Sequence, residues 1–177
     1  MRQFKMSILI LLLTVASTYA ASHPDFTGQW KLDLDASDNM DDFAKSQGAS
    51  WVEYKLIGNM PVTQIITQSE NNITITIENM IKKRTEVMVP NGLIEEKKNE
   101  QGNLMKVRSF WSEDGSVLVT IIDTKMADEK PGQVVIRRSL SQDGETMFQD
   151  IEIVPEKGQR FAAKRVFRKI GVTRDKK

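Results

Sequence analysis

Arg138 and Arg165 are the residues whose type and setting most invite chemistry. In Ile136-Arg137-Arg138-Ser139-Leu140, Arg138 shares parity with Ile136 and Leu140. In the stretch from Phe161 to Phe167, Arg165 shares parity with Phe161, Ala163 and Phe167. In a strand one parity is one face, so both arginines are expected among apolar side chains. A guanidinium keeps its proton there, and burying it without acceptors costs on the order of several kcal/mol. An internal glutamate, ordered water or a bound carboxylate would meet that need. The chemistry offered is therefore anion binding. The competing readings are an internal salt bridge, or an outward arginine after a local bulge. A slip of one residue would exchange Arg137 for Arg138.

Little else in the chain suggests a reaction. There is one histidine, His23, and no cysteine. That makes a zinc, haem or Cys/His nucleophile site improbable. Glu95-Glu96 and Asp41-Asp42 read more simply as surface pairs, and Ser50 as a helix cap. No glycine-rich phosphate loop is present. The reading is therefore of no enzyme, no cofactor and no metal site. The net charge of +1 gives no reason to expect nucleic acid.

Residues 1–20 stand apart. Arg2 and Lys5 precede an apolar run from Ile8 to Ala16, and Thr18-Tyr19-Ala20 supplies small residues for cleavage after Ala20. The run is about half of the roughly 20 residues that span a bilayer. A cleaved signal peptide is expected, leaving one domain over residues 21–177, secreted or periplasmic. Its loss removes two basic and no acidic residues, turning +1 into −1.

The arginines need a frame. Residues 25–35 read as a strand, with Phe26, Trp30, Leu32 and Leu34 opposite Lys31 and Asp33. Gly28 interrupts it and suggests a bend. Residues 38–58 read as two short helices. The first spans 39–47, with Asp41 and Asp42 in its first turn and Gly48 as its stop. The second opens on the Ser50/Glu53 capping box and ends at Gly58 before Pro61. Strand-like segments follow at about 62–69, 72–79, 84–89, 93–98, 104–112, 116–125, 133–141, 145–154 and 159–168. Turn chemistry such as Asp114-Gly115 and Asp143-Gly144 separates them. Ten sequential strands with one helical interruption close most simply into an up-and-down antiparallel barrel with a two-helix lid. A barrel that wide tends to enclose a cavity. Trp30 reads as floor packing, and the face of Trp111 stays open.

The stretch Phe26-Thr27-Gly28-Gln29-Trp30-Lys31-Leu32, then Asn39-Met40-Asp41-Asp42-Phe43-Ala44-Lys45, then Gly58-Asn59-Met60, resembles the fatty-acid-binding protein family of lipocalin-like barrels. The likeness is close over residues 25–79 and looser afterwards. Ser139-Leu140-Ser141-Gln142-Asp143-Gly144 and Arg165-Val166-Phe167-Arg168 also resemble small exported bacterial lipocalin-like proteins. The resemblance implies non-catalytic carriage of a fatty acid or similar small amphiphile. It implies a carboxylate clamp of Arg138 with Arg165 and residue 167, where Phe167 replaces the family's tyrosine and supplies no hydroxyl. Export is a second departure from a mostly cytosolic family.

On the lid, Phe43 and Trp51 either line the ligand entrance or seat the helices. Lys82-Lys83-Arg84 reads as a basic turn, which the resemblance places beside the portal. Transient membrane contact is one reading and a solvated turn the other. The partner expected is a small hydrophobic ligand, and the protein is expected to be a monomer. The rival reading is an exported lipocalin-like interaction module whose interior is filled by its own side chains. Asn72-Ile73-Thr74 fits a glycosylation sequon.

Overall fold

The computed structural model describes residues 23–40, 60–99, 102–126 and 129–171. The expected signal peptide lies outside them, as do the expected lid helices from residue 41 on, with Phe43 and Trp51. Among the described residues ten strands form one sheet: β1 (Gly28–Asp33), β2 (Thr63–Gln68), β3 (Ile73–Glu78), β4 (Lys83–Met88), β5 (Asn91–Lys98), β6 (Leu104–Trp111), β7 (Leu118–Lys125), β8 (Pro131–Leu140), β9 (Thr146–Pro155) and β10 (Phe161–Ile170). Their order is β4-β3-β2-β1-β10-β9-β8-β7-β6-β5, and every pairing is antiparallel. The ten-stranded antiparallel expectation is met, and the boundaries move by a few residues.

Short polar turns make the meander. Ser112-Glu113-Asp114-Gly115-Ser116 joins β6 to β7, and Ser141-Gln142-Asp143-Gly144-Glu145 joins β8 to β9. In each, a serine hydroxyl donates to the aspartate, at 2.6 Å for Asp114 and 2.5 Å for Asp143. The aspartate also accepts from the backbone N–H two residues on. The glycine takes the left-handed conformation, with φ of 73° and 71°, where it avoids a Cβ penalty. These hydrogen bonds lower both carboxyls, Asp114 to about 2, chiefly through Ser112 and Ser116.

The turns place the even residues of β1, β2, β4, β7 and β8 on the face that also carries the odd residues of β3, β5, β6, β9 and β10. The end of the barrel where β1 begins is closed by an apolar cluster. Trp30, Phe26, Phe167, Leu118 and Met147 are all 0% exposed there. Trp30 Nε1 donates to the Phe26 carbonyl at 2.8 Å, so its one polar atom is satisfied. Trp111 faces inward, and His23 stacks on it at 4.2 Å between ring centroids. The opening strand is shorter than expected. It begins at Gly28, whose φ of 146° breaks the extended run, and Phe26 crosses the floor before it.

Two further expectations are corrected. The sheet is not hydrogen-bonded shut, because β4 and β5 end the strand order without pairing. Lys97 Nζ reaches the Val87 carbonyl at 3.1 Å instead, a side-chain strut across the gap. Both end strands are rich in charge, which suits unpaired edges. The basic stretch Lys82-Lys83-Arg84 is also not one turn. Asn79 Oδ1 accepts from the N–H groups of Ile81 and Lys82, and β4 already begins at Lys83. Arg84 then falls on the inner parity, opposite Ile77.

Candidate functional site

The inner wall becomes polar midway between floor and mouth. Arg165, Gln149 and Arg138 stand side by side on β10, β9 and β8 in direct register. Arg138 pairs in turn with Leu118 of β7. Adjacent strands lie about 4.8 Å apart, so the two arginine backbones flank Gln149 at about 10 Å. Arg138 is 3% exposed, whereas its neighbour Arg137 is exposed and pairs outside with Glu152 at 3.4 Å. The register therefore selects Arg138 over Arg137 as the inward residue. The alternation of Ile136, Arg138 and Leu140 was the sequence signal for it.

Arg138 Nε and Nη1 and Arg165 Nε are buried without a hydrogen-bond partner among the described residues, and so is Gln64 Oε1. Burial pushes the Arg138 guanidinium down to about 10, and Glu86 pulls it partly back. Burial also lowers Arg165. Both stay cations at neutral pH, so the cost of hiding them from water is a standing one. No ion pair joins either to a described carboxylate; the internal salt bridge is absent among the described residues. Arg165 lies 5.8 Å from the Phe167 ring centroid.

Phe167 itself is 0% exposed in the floor cluster beside Met147 and Leu32. It is core packing against which Arg165 rests. Toward the mouth, Met40 is buried with Ile151 and Ala163, against Val134 and Ile136. The polar belt thus lies between two apolar regions.

Sequence reasoning missed several members of the belt. Gln64 Nε2 donates to Gln149 Oε1 at 3.0 Å, and two strands, β1 and β10, separate their own. Ser109 and Thr120 hydroxyls share a hydrogen bond at 3.1 Å. On the walls of the gap, Arg84 and Glu86 pair at 2.9 Å and Lys97 and Glu95 at 2.8 Å. All four take the inner parity. Thr120 and Gln64 were visible as polar residues in apolar strands. Nothing in Lys83-Arg84-Thr85-Glu86 signals which parity turns inward, because both parities are polar. The outer face is less solvated than expected, since Val119, Val135 and Val166 are buried there. A separate groove of about 680 Å³ lies mainly on that outer parity, lined by Lys106, Asp123, Gln133 and Val154. It touches none of the belt residues.

No family model and no curated protein matches the chain. Solved structures do. Apo lipid binding protein 8 of Caenorhabditis elegans matches with a TM-score of 0.68 at 15% identity, covering 85% of this chain and 99% of that one. A Schistosoma mansoni fatty acid binding protein in complex with arachidonic acid matches at 0.63 and 20%, covering 82% and 96%. A fatty acid-binding protein from Drosophila melanogaster brain tissue matches at 0.62 and 21%, covering 81% and 98%. The chain has the fold of the fatty-acid-binding proteins, spanning nearly their whole length.

Proposed function

We propose that the protein binds and carries a fatty acid or similar single-chain amphiphile inside the barrel, without catalysis. The observation that carries this reading is Arg138: a fully buried cation, facing inward, with two N–H donors unpaired. A carboxylate from a ligand supplies the acceptors that the described residues do not. Arg165 adds a second cation on the same face. The acyl chain lies along apolar wall such as Ile136, Ile151 and Ala163, gaining about 0.8 kcal/mol per buried methylene. The neighbours are binding and transport proteins by their descriptions, which agrees with a non-catalytic role.

Export fits the leader pattern of residues 1–20. Phe43 and Trp51 belong to this proposal as entrance residues of a lid. Membrane contact has a concrete candidate as well. Met80 and Ile81 are 85% and 73% exposed at the tip of the β3–β4 turn, next to Lys82 and Lys83. Two apolar tips beside cations suit brief contact with an anionic bilayer.

One observation favours the rival module with a filled interior. The Gln64–Gln149 bond and the Thr120 Oγ1–Met88 Sδ contact at 3.5 Å both cross the inside of the barrel. Titration of delipidated protein with a fluorescent fatty acid, followed by displacement with palmitate, separates the two. Saturable binding of one equivalent is expected for the carrier, and no binding for the filled module.

A further inference from the structure

The chain has one histidine, and among the described residues no group of side chains could hold a metal ion. A site built on backbone nitrogen needs no such group. Cleavage after Ala20 leaves a chain that begins Ala21-Ser22-His23-Pro24. Tyr19 ties the cut to that bond. A cut one residue earlier or later would put its large ring at a position that takes a small residue. The single histidine then falls at the third position, and that spacing carries the chemistry. The α-amine of Ala21, the amide nitrogens of Ser22 and His23, and the imidazole Nδ1 of His23 close fused chelate rings around one ion in one plane. Neither amide is a proline nitrogen, so each can give up a proton, and Pro24 lies beyond the last ligand. A planar set of nitrogens suits Cu(II) or Ni(II), whereas zinc takes a tetrahedral set. An exported chain also meets copper in an oxidising compartment, where Cu(II) persists.

The structure places this imidazole on a firm support. His23 is exposed and stacks on Trp111, with 4.2 Å between ring centroids and 3° between planes. Phe26, 0% exposed in the floor, stacks on Trp111 at 6.0 Å. The platform under His23 is thus anchored in the core. Nδ1 donates to the Gly115 carbonyl at 3.1 Å, which keeps His23 at the floor end beside the β6–β7 turn and away from the mouth. A half-turn about Cβ–Cγ exchanges Nδ1 with Cδ2. It leaves the ring in its plane on Trp111 and frees Nδ1 for a metal. Asp25 and Glu70 line the same cleft as His23 and Trp111. Their carboxylates raise the local concentration of cations.

We infer that the mature N-terminus, Ala21-Ser22-His23, is a binding site for Cu(II), with Ni(II) as the weaker alternative. The ligands are the α-amine, two deprotonated amides and His23 Nδ1, beside Trp111. Binding releases the ammonium proton and the two amide protons to water. No electron moves, and only metal–nitrogen bonds form. The inference rests on the export reading above, through cleavage after Ala20.

The test is Cu(II) titration of residues 21–177 with a native Ala21 N-terminus, read by the visible d–d band and by tryptophan emission. One equivalent is expected to bind, to give the band of a planar four-nitrogen complex and to quench part of the emission through Trp111. The band is expected to be lost in His23→Ala, whose site is exposed and leaves folding intact. It is expected to be lost equally in a chain with one glycine added before Ala21, which keeps every side chain and moves His23 to the fourth position. Absence of the band from the unextended chain, or the same band in the extended one, overturns the inference. So does quenching that survives undiminished in Trp111→Phe, since the ion would then lie elsewhere. Sequencing the N-terminus of the exported protein tests the cleavage separately. A start at any residue but Ala21 overturns the cleavage reading, and this inference with it, whatever the titration shows.

Discussion

Two residues of the proposed clamp do different jobs, and substitution separates them. Arg138 is buried at a standing electrostatic cost, so Arg138→Leu should stabilise the ligand-free protein by about 1–3 kcal/mol. For a chain of this size that raises the melting temperature by about 2–4 °C per kcal/mol. The same change should weaken carboxylate ligands about tenfold to a hundredfold. Phe167 is core, so Phe167→Ala should instead lose about 3–5 kcal/mol of stability. Thermal melts and fatty-acid displacement on both variants check the contrast. Loss of stability in Arg138→Leu would show that the guanidinium has partners the account omits. Parity alone made both arginines legible in the sequence. Glu86 was not legible, because a polar residue in a strand reveals its face only against an apolar alternation, and β4 is polar on both parities there. Phe167 was placed in the clamp by likeness, and its burial beside Met147 places it in the floor.

At the scale of elements, turn chemistry carried most of the information. The two Ser-x-Asp-Gly turns sit where Asp114-Gly115 and Asp143-Gly144 placed them, and each strand between such turns was found within a few residues. The unpaired β4–β5 seam was hidden. Closure depends on how far the whole sheet curls, and no local pattern in Lys83–Met88 or Asn91–Lys98 encodes it. The strut from Lys97 to the Val87 carbonyl is what the structure puts in place of a ladder. Lys97→Met should therefore speed amide hydrogen exchange in β4 and β5 while leaving the global unfolding free energy within about 1 kcal/mol of the parent, as for other exposed polar contacts. Unchanged exchange would mean that the seam is held by something other than this bond.

The molecule as a whole should be acid-sensitive over a narrow range. Asp25, Asp33, Asp114 and Asp143 all titrate below the ordinary 3.8, held down mainly by hydrogen bonds from Thr27, Arg168, Ser112 and Ser141. A carboxyl lowered in the folded state contributes stability that is complete above its unfolded value and disappears as pH falls through the folded one. Stability should thus hold from neutrality to about pH 5 and fall between about pH 4 and 2. Thermal melts across that range check the sign, and a decline beginning near pH 6 would contradict it.

The central claim is that an amphiphile's acid group answers the unpaired donors of Arg138. Native mass spectrometry of protein purified from its own source, without a delipidation step, addresses it most directly. The expected spectrum holds one added mass per chain, released as an acidic lipid on unfolding and lost in Arg138→Leu. A bare chain that also fails to take up added palmitate would contradict the account.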